Sequence, residues 1–463
     1  MNVLETPILP TKHRYAKNQQ PHQIHYEAIC VFAATGFFLD DDTYFKDEVC
    51  LRPGHKHTFD DNNYLVKSEP WFHWHYTPRD ISFQQALEEY ITLLTDITKD
   101  LVGDHSVILP LSGGIDSRSQ ALILEGLKNP VHAYSYYFPG GYPEHKISKQ
   151  IANVCGFTFD DYKIPKSYLW NKINELALMN RCFSEFTHPR QMGVLDELKQ
   201  MEGVFYLGHW GDVLFDRGAP ANIRESEVVD LLLKKMLKPG GLEFAQSLWK
   251  AWDLEGDFKS YLISRIETSL SEIKIDNISA KVRAFKTSQW AHRWTTTNLC
   301  VFENAHPITL PYYEDRMLEF ICTIPEDYLA GRRLQIAHIK QNKKLSKITW
   351  HEQKPFNLNN YQYNKAPYNL PYRVFSKLKR EFNAMLGNPY IQRNFELQLL
   401  GTENDKQLQA YIFDSDFLSF IPRDVVQEFY TKFKNTDTVY YSTPISMILT
   451  MSLWHKHFLR NNA

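Results

Sequence analysis

The stretch Val-Ile-Leu-Pro-Leu-Ser-Gly-Gly-Ile-Asp-Ser-Arg, residues 107–118, decides the fold of this chain. It begins as a short apolar strand and runs directly into two glycines, and a helix-forming stretch follows at residues 119–127. Glycine lets a backbone approach an anion closely, and the free N–H groups at the start of a helix attract negative charge. The pattern therefore predicts a phosphate-binding loop between a strand and a helix.

Side chains in this loop indicate which phosphate compound it binds. Ser112 and Ser117 can donate hydrogen bonds to a phosphate, while Gly113 and Gly114 allow the close approach. Asp116 would repel a bare phosphate, so its presence indicates a cation beside the anion, most simply Mg²⁺. We therefore expect these five residues to bind ATP and expect Asp116 to be a ligand of Mg²⁺.

Strand and helix patterns alternate around the loop. An amphipathic helix with a capping pattern at Ser82 is predicted over residues 80–101, just before the loop. Further elements are predicted after it, as strands at residues 131–138, 159–164 and 204–207 and as helices at residues 144–154 and 189–201. This alternation predicts an α/β fold with a doubly wound parallel sheet, in which ligands bind at the carboxyl ends of the strands.

The two ends of the chain have different patterns. Residues 28–75 contain short, β-like apolar pieces, and Pro53-Gly54 marks a turn between two of them. From about residue 226 to the end, the patterns are mainly helical. We therefore expect a small β-rich N-terminal part and a mainly helical C-terminal part around the central α/β region.

Composition and charge narrow the class of protein. The chain has 463 residues, of which 43% are hydrophobic and 23% charged, values typical of a globular protein with a sizeable core. Its formal net charge is −2, whereas proteins that bind nucleic acid usually have an excess of basic residues. The six cysteines form no CxxC pair, which argues against a zinc ribbon or an iron–sulfur site and favours reduced thiols.

The sequence also bears on location. Residues 1–20 contain no apolar signal core, and the longest apolar candidate, residues 445–454, is too short to span a bilayer. We therefore expect a cytoplasmic protein with no membrane partner. The basic run at residues 377–380 is interpreted as a solvated helix face.

The loop at residues 112–117 resembles the pyrophosphate loop of the N-type ATP pyrophosphatases, which split ATP between the α and β phosphates and form adenylates. A second motif, Leu-Gly-His-Trp-Gly-Asp-Val-Leu-Phe at residues 207–215, follows the last predicted strand. It resembles the second metal motif of the asparagine synthetase B family, although Val213 replaces that family's glutamate. The resemblance implies that Gly208 lies beside the nucleotide and that Asp212 shares Mg²⁺ with Asp116.

Two further segments support the resemblance. Residues 134–141, followed by Glu144, look like the family's strand and loop beside adenine and ribose, which implies that Tyr136 contacts the nucleotide. Residues 310–320 are similar to its V-P-F-L-D segment, which implies an acid pocket near residues 312–315. The family has a glutamate four residues before this proline. Counting from Pro307 gives Glu303, a candidate acid/base residue, whereas counting from Pro311 gives no glutamate.

The last similar segment carries a lysine. Trp-His-Glu-Gln-Lys-Pro-Phe at residues 350–356 resembles the family's W-R-Q-K-x-x-F segment. The resemblance implies that Lys354 is catalytic, reaching the phosphates and the charge that develops at the acyl carbon. Arg118 is interpreted either as a phosphate contact or as a surface ion pair, and both His188 and His209 as packed side chains rather than catalysts.

The N-terminal region departs from the family. Asparagine synthetases have a glutaminase whose nucleophile is a cysteine at position 2, whereas this chain has Asn2, and its first cysteine is Cys30. An amide side chain cannot replace a thiolate as the nucleophile. Residues 37–45 and 51–55 resemble only the last strands of that glutaminase. We therefore predict a truncated, inactive glutaminase-like part at residues 1–79 and an ATP-binding synthetase domain at residues 80–463.

These observations predict an AMP-forming ligase that adenylates a small-molecule or peptide carboxylate and transfers the acyl group to an amine or to ammonia. The nitrogen could come from free ammonia, from an amine substrate or from a separate glutaminase. It could also lie within the same substrate, as in β-lactam synthetases and in lasso-peptide cyclases, which act on a precursor peptide. Two other functions stay open, namely a PP-loop enzyme that modifies nucleotides or tRNA and a non-catalytic member of the family.

Overall fold

Nine strands form three sheets in the part of the chain that the computed structural model describes, namely residues 10–18, 23–186, 190–350, 355–387, 390–391 and 396–460. In chain order the strands are β1 (Arg14–Ala16), β2 (Glu48–Cys50), β3 (His55–Phe59), β4 (Leu65–Pro70), β5 (Val107–Pro110), β6 (Val131–Tyr137), β7 (Thr158–Lys163), β8 (Val204–Tyr206) and β9 (Ile308–Thr309). The pairs β1–β2 and β3–β4 are antiparallel, and β5 to β9 form one parallel sheet.

Helices cover both faces of the parallel sheet and make up most of the chain after β8. In chain order they are α1 (Tyr26–Thr35), α2 (Phe83–Val102), α3 (Ile115–Glu125), α4 (Glu144–Cys155), α5 (Tyr168–Asn180), α6 (Leu195–Leu198), α7 (Gly211–Leu214), α8 (Val228–Met236), α9 (Gly241–Ala251), α10 (Phe258–Glu272), α11 (Ile278–Phe285), α12 (Thr296–Asn298), α13 (Cys300–Ala305), α14 (Asp315–Cys322), α15 (Glu326–Leu329), α16 (Arg333–Lys340), α17 (Leu370–Met385), α18 (Thr402–Ile412), α19 (Phe417–Phe420), α20 (Arg423–Asn435) and α21 (Ser442–Trp454). A π-helical segment, Lys286–Thr295, joins α11 to α12.

The strand order in the parallel sheet is β7-β6-β5-β8-β9. The order reverses at β5, which pairs with β6 on one side and with β8 on the other. In a doubly wound sheet, ligands bind outside the carboxyl ends of the strands at this reversal point. The predicted fold class is therefore confirmed, and the loops after β5 and β8 lie where a ligand site is expected.

Local signals set the ends of two helices around this sheet. Ser82 caps α2, since its hydroxyl accepts a hydrogen bond from the Gln85 N–H at 3.2 Å, and the Gln85 side chain accepts one from the Ser82 N–H at 2.9 Å. Gly156 ends α4 in the left-handed conformation, at φ +72°. Both ends agree with the sequence prediction.

The start of α3 differs from the prediction. The helix begins at Ile115 rather than at Ser119, so Asp116 and Ser117 lie in its first turn. The N-cap residue is Gly114, which has no side chain that could accept hydrogen bonds from the first N–H groups of the helix. The polar residues of the loop are therefore part of the helix N-terminus, where an anion is most strongly attracted.

The N-terminal part differs from the prediction in one place. The β-like pattern of residues 29–39 predicts extended structure, whereas Tyr26–Thr35 forms helix α1, in which the side chains of residues 28–34 are fully buried. A helix that is buried all round shows no polar face, so its sequence cannot be told from a buried strand by periodicity. Helix α9 packs so closely on α1 that a Cβ added at Gly241 would lie 2.4 Å from the Ala34 carbonyl oxygen.

The helix predicted at residues 189–201 is also shorter than expected. Arg190–Val194 forms a 3₁₀ segment and only Leu195–Leu198 is α-helical, with residue 189 outside the described residues. Gly193 explains the irregular start, since a Cβ there would lie 3.0 Å from the Ile164 side chain. The chain therefore bends to pass close to the end of β7.

Apolar side chains from both ends of the chain share one core. Helix α21 contains the apolar stretch noted at residues 445–454, and it packs in the same core as α1. All six cysteines are buried and free. Among the described residues, no helix combines the length and the apolar composition needed to cross a membrane.

A buried histidine joins the N-terminal segment to this core and makes stability depend on pH. The His292 ring donates to the Leu51 carbonyl oxygen at 2.9 Å, and burial lowers the pKa of His292 to about 3 from 6.5. Between these two pKa values the unfolded chain binds more protons than the folded chain. The stabilisation is therefore complete above the unfolded pKa and is lost as the pH falls below it.

We expect protonation of His292 in the unfolded chain to lower the free energy of unfolding by about 2 kcal/mol between pH 7 and pH 5. Urea unfolding at the two pH values measures this change, and His292→Asn should show a smaller one. His105→Asn, at an exposed position, serves as the control and should behave like the unaltered chain. An identical pH dependence in the His292 variant would contradict the assignment.

Candidate active site

The loop after β5 is held in shape by its own hydroxyl groups. The Ser112 and Ser117 hydroxyl oxygens lie 2.9 Å apart, and Ser117 accepts a hydrogen bond from the Ser112 N–H at 3.2 Å. Ser112 in turn accepts one from the Gly114 N–H at 3.2 Å. A Cβ added at Gly113 would lie 3.1 Å from the Trp350 carbonyl oxygen, so a side chain there would crowd the neighbouring backbone. The predicted loop residues therefore form one compact turn.

A carboxylate already accepts a hydrogen bond from this loop. The Glu144 side chain accepts a hydrogen bond from the Gly113 N–H at 3.1 Å, which shows that this amide is directed at an anionic oxygen. Tyr136 is near Glu144: burial raises the pKa of Tyr136, the Arg190 guanidinium opposes that change, and the Glu144 charge adds to it. Glu144, from the predicted nucleotide-binding segment, thus contacts the loop, and Tyr136 lies near Glu144.

Asp116 and Asp212 also come together. A Cβ added at Gly208 would lie 3.3 Å from the Asp116 Cβ, and one added at Gly211 would lie 2.3 Å from the Asp116 Oδ1. Only glycine allows the turn after β8 to pass so close to Asp116. Burial is the main cause that raises the pKa of the Asp116 carboxyl, and the neighbouring Asp212 charge raises it further.

The turn that carries Asp212 has an unusual backbone. Trp210, directly before α7, adopts the left-handed conformation at φ +74°, and its indole N–H donates to the Thr287 hydroxyl at 3.0 Å. Such conformations cost energy in residues other than glycine and persist where surrounding contacts impose them. The contact between Trp210 and Thr287 thus fixes the turn, and Asp212 is presented on the exposed side. His209, also in the turn, is partly buried, and desolvation lowers its pKa to about 4.

Two further side chains bind Asp116 and were not found by sequence analysis. The Arg332 guanidinium forms an ion pair with the Asp116 Oδ1, and the Gln335 amide donates to the same oxygen at 2.9 Å. Gln335 also donates to the Tyr312 hydroxyl at 3.2 Å, which links the predicted acid pocket to the carboxylate. Arg332 and Gln335 thus hold the Asp116 carboxylate in place through the same oxygen, Oδ1.

The donor set fits Mg²⁺ bound together with a phosphate compound. Within the described ranges, no group of three or more acidic, histidine or cysteine side chains could hold a metal by itself. Mg²⁺ is commonly bound in proteins by one or two carboxylates together with the phosphate oxygens of a substrate. Asp116 and Asp212 supply that number of carboxylates beside a loop shaped for phosphate.

Comparisons with known proteins identify the relatives of this arrangement. The asparagine synthase family matches residues 90–328, more than half of the chain, and this segment contains the loop, both carboxylates and the segment after β9. The chain belongs to the asparagine synthase family. It is accordingly an ATP-using synthetase of the ligase type, and enzymes of this family generally use Mg²⁺ with ATP.

The match to a solved structure is weak. A solved structure of NMN synthetase from Francisella tularensis shares 16% identity, and the match covers 44% of this chain and 93% of that one, with a TM-score of 0.23. At these values the likeness does not bear on the function. No curated protein matches the sequence.

The lysine expected from the family pattern, Lys354, lies outside the described residues. A different lysine, Lys286 at the start of the π-helical segment, is near Asp212. Burial and the charge of Lys235 lower the pKa of Lys286 to about 8, while Asp212 opposes the change. No sequence motif marked Lys286, because only the packing of the π-helical segment against the turn after β8 brings it near the site.

Arg118 has neither of the two roles expected for it. Its guanidinium is fully buried and donates to four backbone carbonyl oxygens at 2.9–3.2 Å, those of Gly113, Leu345, Ile348 and Thr349. It therefore ties the ATP loop to the segment that leads towards residue 354. Burial lowers the pKa of Arg118 to about 10, yet it remains a cation at neutral pH.

The remaining candidates are less closely connected to the carboxylates. Glu303, on α13, forms an ion pair with Lys12 at 2.5 Å, and its contacts do not include Asp116 or Asp212. Its acid/base role therefore stays a prediction. His188 lies outside the described residues.

Proposed function

We propose that this member of the asparagine synthase family is an AMP-forming ligase, which adenylates a carboxylate and transfers the acyl group to an amine or to ammonia. One observation supports the proposal most strongly: two carboxylates from the ends of β5 and β8 meet beside a loop shaped for phosphate. In the first step, an oxygen of the substrate carboxylate forms a bond to the α-phosphorus of ATP, and pyrophosphate leaves. In the second, the amine nitrogen attacks the acyl carbon, AMP leaves and the nitrogen loses a proton.

Each part of the site has a physical role in this reaction. The N–H groups at the start of α3 would bind phosphate oxygens, since they carry partial positive charge and lack a capping side chain. Asp116 and Asp212 would hold Mg²⁺, which supplies positive charge at the departing pyrophosphate. Gln335 and Arg332 hold the Asp116 carboxylate in place through its Oδ1. Such fixed charges and dipoles stabilise the transition state without having to reorganise.

ATP–pyrophosphate exchange tests this proposal and finds the substrate in one experiment. The purified chain is incubated with ATP, Mg²⁺, labelled pyrophosphate and one carboxylic acid at a time. Incorporation of label into ATP with one class of acid, and not without acid, is the expected result. Exchange that requires tRNA would favour the nucleic-acid-modifying alternative, and ADP formation in place of AMP would contradict the proposal.

Lys286 is expected to assist by its charge. Lys286→Met should lower kcat by roughly one to two orders of magnitude, because a cation near Asp212 would no longer offset the charge of pyrophosphate. Lys286→Arg should restore part of the loss. Lys234→Met is the matched control, since it removes an exposed lysine of α8 that does not affect the pKa of Lys286, and its kcat should stay unchanged. Equal effects of Lys286→Met and Lys234→Met would refute a specific role for Lys286.

We further propose that the chain has no glutaminase activity, so that its nitrogen comes from free ammonia, an amine substrate or a separate glutaminase. The Cys30 thiol is fully buried in α1, and burial raises its pKa well above the ordinary value, which disfavours a nucleophilic thiolate. We expect Cys30→Ala to leave AMP formation with ammonia or amine unchanged. Glutamate release from glutamine in the unaltered chain but not in this variant would contradict that expectation.

A further inference from the structure

Helix α17 carries a large apolar face that the rest of the described chain leaves uncovered. Apolar side chains recur along it at helical spacing, and none of its residues is buried. Phe375, Phe382 and Met385 are 67%, 62% and 84% exposed. The exposed side chains of this face, called the α17 apolar face below, are Leu370, Val374, Phe375, Leu378, Phe382 and Met385. A continuous apolar patch of this kind marks a contact site rather than ordinary surface.

The other side of α17 is basic. Arg373, Lys377, Lys379 and Arg380 outnumber the one acidic residue of the helix, Glu381, although the whole chain carries a formal net charge of −2. The basic run at residues 377–380 lies largely in solvent, as predicted, with only Arg380 partly buried. It borders the α17 apolar face. The occupant of this surface must offer apolar groups and negative charge together.

The ends of α17 connect it to the catalytic edge of the sheet. Before the helix, Leu358 is fully buried in the core that contains β5. After it, the Ile391 N–H donates to the carbonyl oxygen of Gly140, in the loop that follows β6, at 2.9 Å. Both connections lead to segments that border the predicted nucleotide site.

Against the expectation from the sequence of no membrane partner, we propose that α17 binds an anionic lipid surface by burying its apolar face among the headgroups and acyl chains. At helical spacing the apolar residues cover about 140° of the circumference, wider than the narrow seam of a helix pair. A broad apolar face flanked by lysines and arginines is typical of helices that lie in a membrane interface. The long basic side chains can extend to lipid phosphates while their stems stay apolar. A second copy of this chain fits less well, because two α17 helices would bring like charges together.

Co-sedimentation of the full chain with lipid vesicles tests this proposal without any substrate. We expect sedimentation with vesicles of mixed phosphatidylcholine and phosphatidylglycerol, weakening at high salt, and little with phosphatidylcholine alone. The double variant Phe375→Ser/Phe382→Ser should weaken partitioning about tenfold or more. Asn383→Ala, on the polar side of the same helix, is the matched control and should bind like the unaltered chain. ATP–pyrophosphate exchange in each variant shows whether the fold is kept and separates this proposal from the proposed reaction.

Three results would overturn the proposal. Sedimentation with neither kind of vesicle would show that α17 does not bind lipid. A dimer in solution that the double variant dissociates, without vesicle binding, would assign the face to a second copy. Binding to an acidic polypeptide such as poly-glutamate, again without vesicle binding, would assign it to an acidic protein.

Discussion

Asp116→Asn is expected to lower the rate of AMP and pyrophosphate formation about a thousandfold while leaving the protein folded. The substitution removes the charge that would hold Mg²⁺ and keeps the shape of the side chain. Loss of one transition-state electrostatic contact typically lowers kcat by two to three orders of magnitude, and we expect a loss of roughly three here. The amide oxygen can still accept the Gln335 hydrogen bond, and burial already disfavours the ionised carboxyl by raising the pKa of Asp116, so loss of the Arg332 ion pair should lower the melting temperature only modestly.

Asp212→Asn should reduce the same activity, whereas Asp104→Asn, an exposed position outside the site, should not. Product formation is followed by nucleotide chromatography and stability by thermal unfolding. Asp116→Asn with full turnover would show that the loop is not the site of the reaction. A variant that loses activity only because it unfolds would appear as a large drop in melting temperature.

Arg118→Met should lower the free energy of unfolding more than any other substitution in the loop, because the Arg118 side chain is fully buried. The substitution removes the side-chain donor from four carbonyl oxygens, of which that of Leu345 keeps the Ile348 N–H as a donor, and a buried group without its partner costs about 1–3 kcal/mol. We expect a loss of about 3 kcal/mol in urea unfolding. We also expect weaker ATP binding, because the loop and residues 345–350 would no longer be tied together.

Arg79→Met is the matched control for this substitution. Arg79 forms an exposed ion pair with Glu89, a type of contact worth less than about 1 kcal/mol. Its removal should leave both stability and ATP binding nearly unchanged. If Arg118→Met kept full stability and lost only ATP affinity, Arg118 would be a phosphate ligand and the structural assignment would be wrong.

The parts that sequence predicted well are those set by local patterns. The order of strands and helices from β5 to β8, apart from helix α5, which was not predicted, follows from apolar runs, capping residues and glycines that are close together in the chain. The meeting of Asp116 and Asp212 could be predicted because both follow strands of one parallel sheet, whose carboxyl ends share an edge. The relation of the N-terminal 79 residues to a glutaminase stays a prediction.

The parts that sequence missed depend on packing between distant segments. Arg332 and Gln335 reach Asp116 from a helix more than 200 residues away, and nothing in their own neighbourhood distinguishes them. Lys286 depends in the same way on the position of the π-helical segment. Helix α1 was mistaken for a strand because complete burial removes the periodic polar face that reveals a helix.

Isothermal titration calorimetry with ATP and Mg²⁺ tests the central claim most directly, since it needs neither the acid nor the amine. The account predicts that the unaltered chain binds one ATP with an affinity that rises when Mg²⁺ is present. It predicts that Asp116→Asn, folded to the same extent, loses that dependence on Mg²⁺. A folded chain that binds no ATP, or whose ATP binding is indifferent to Mg²⁺ and to Asp116, would contradict the account and favour a non-catalytic member of the family.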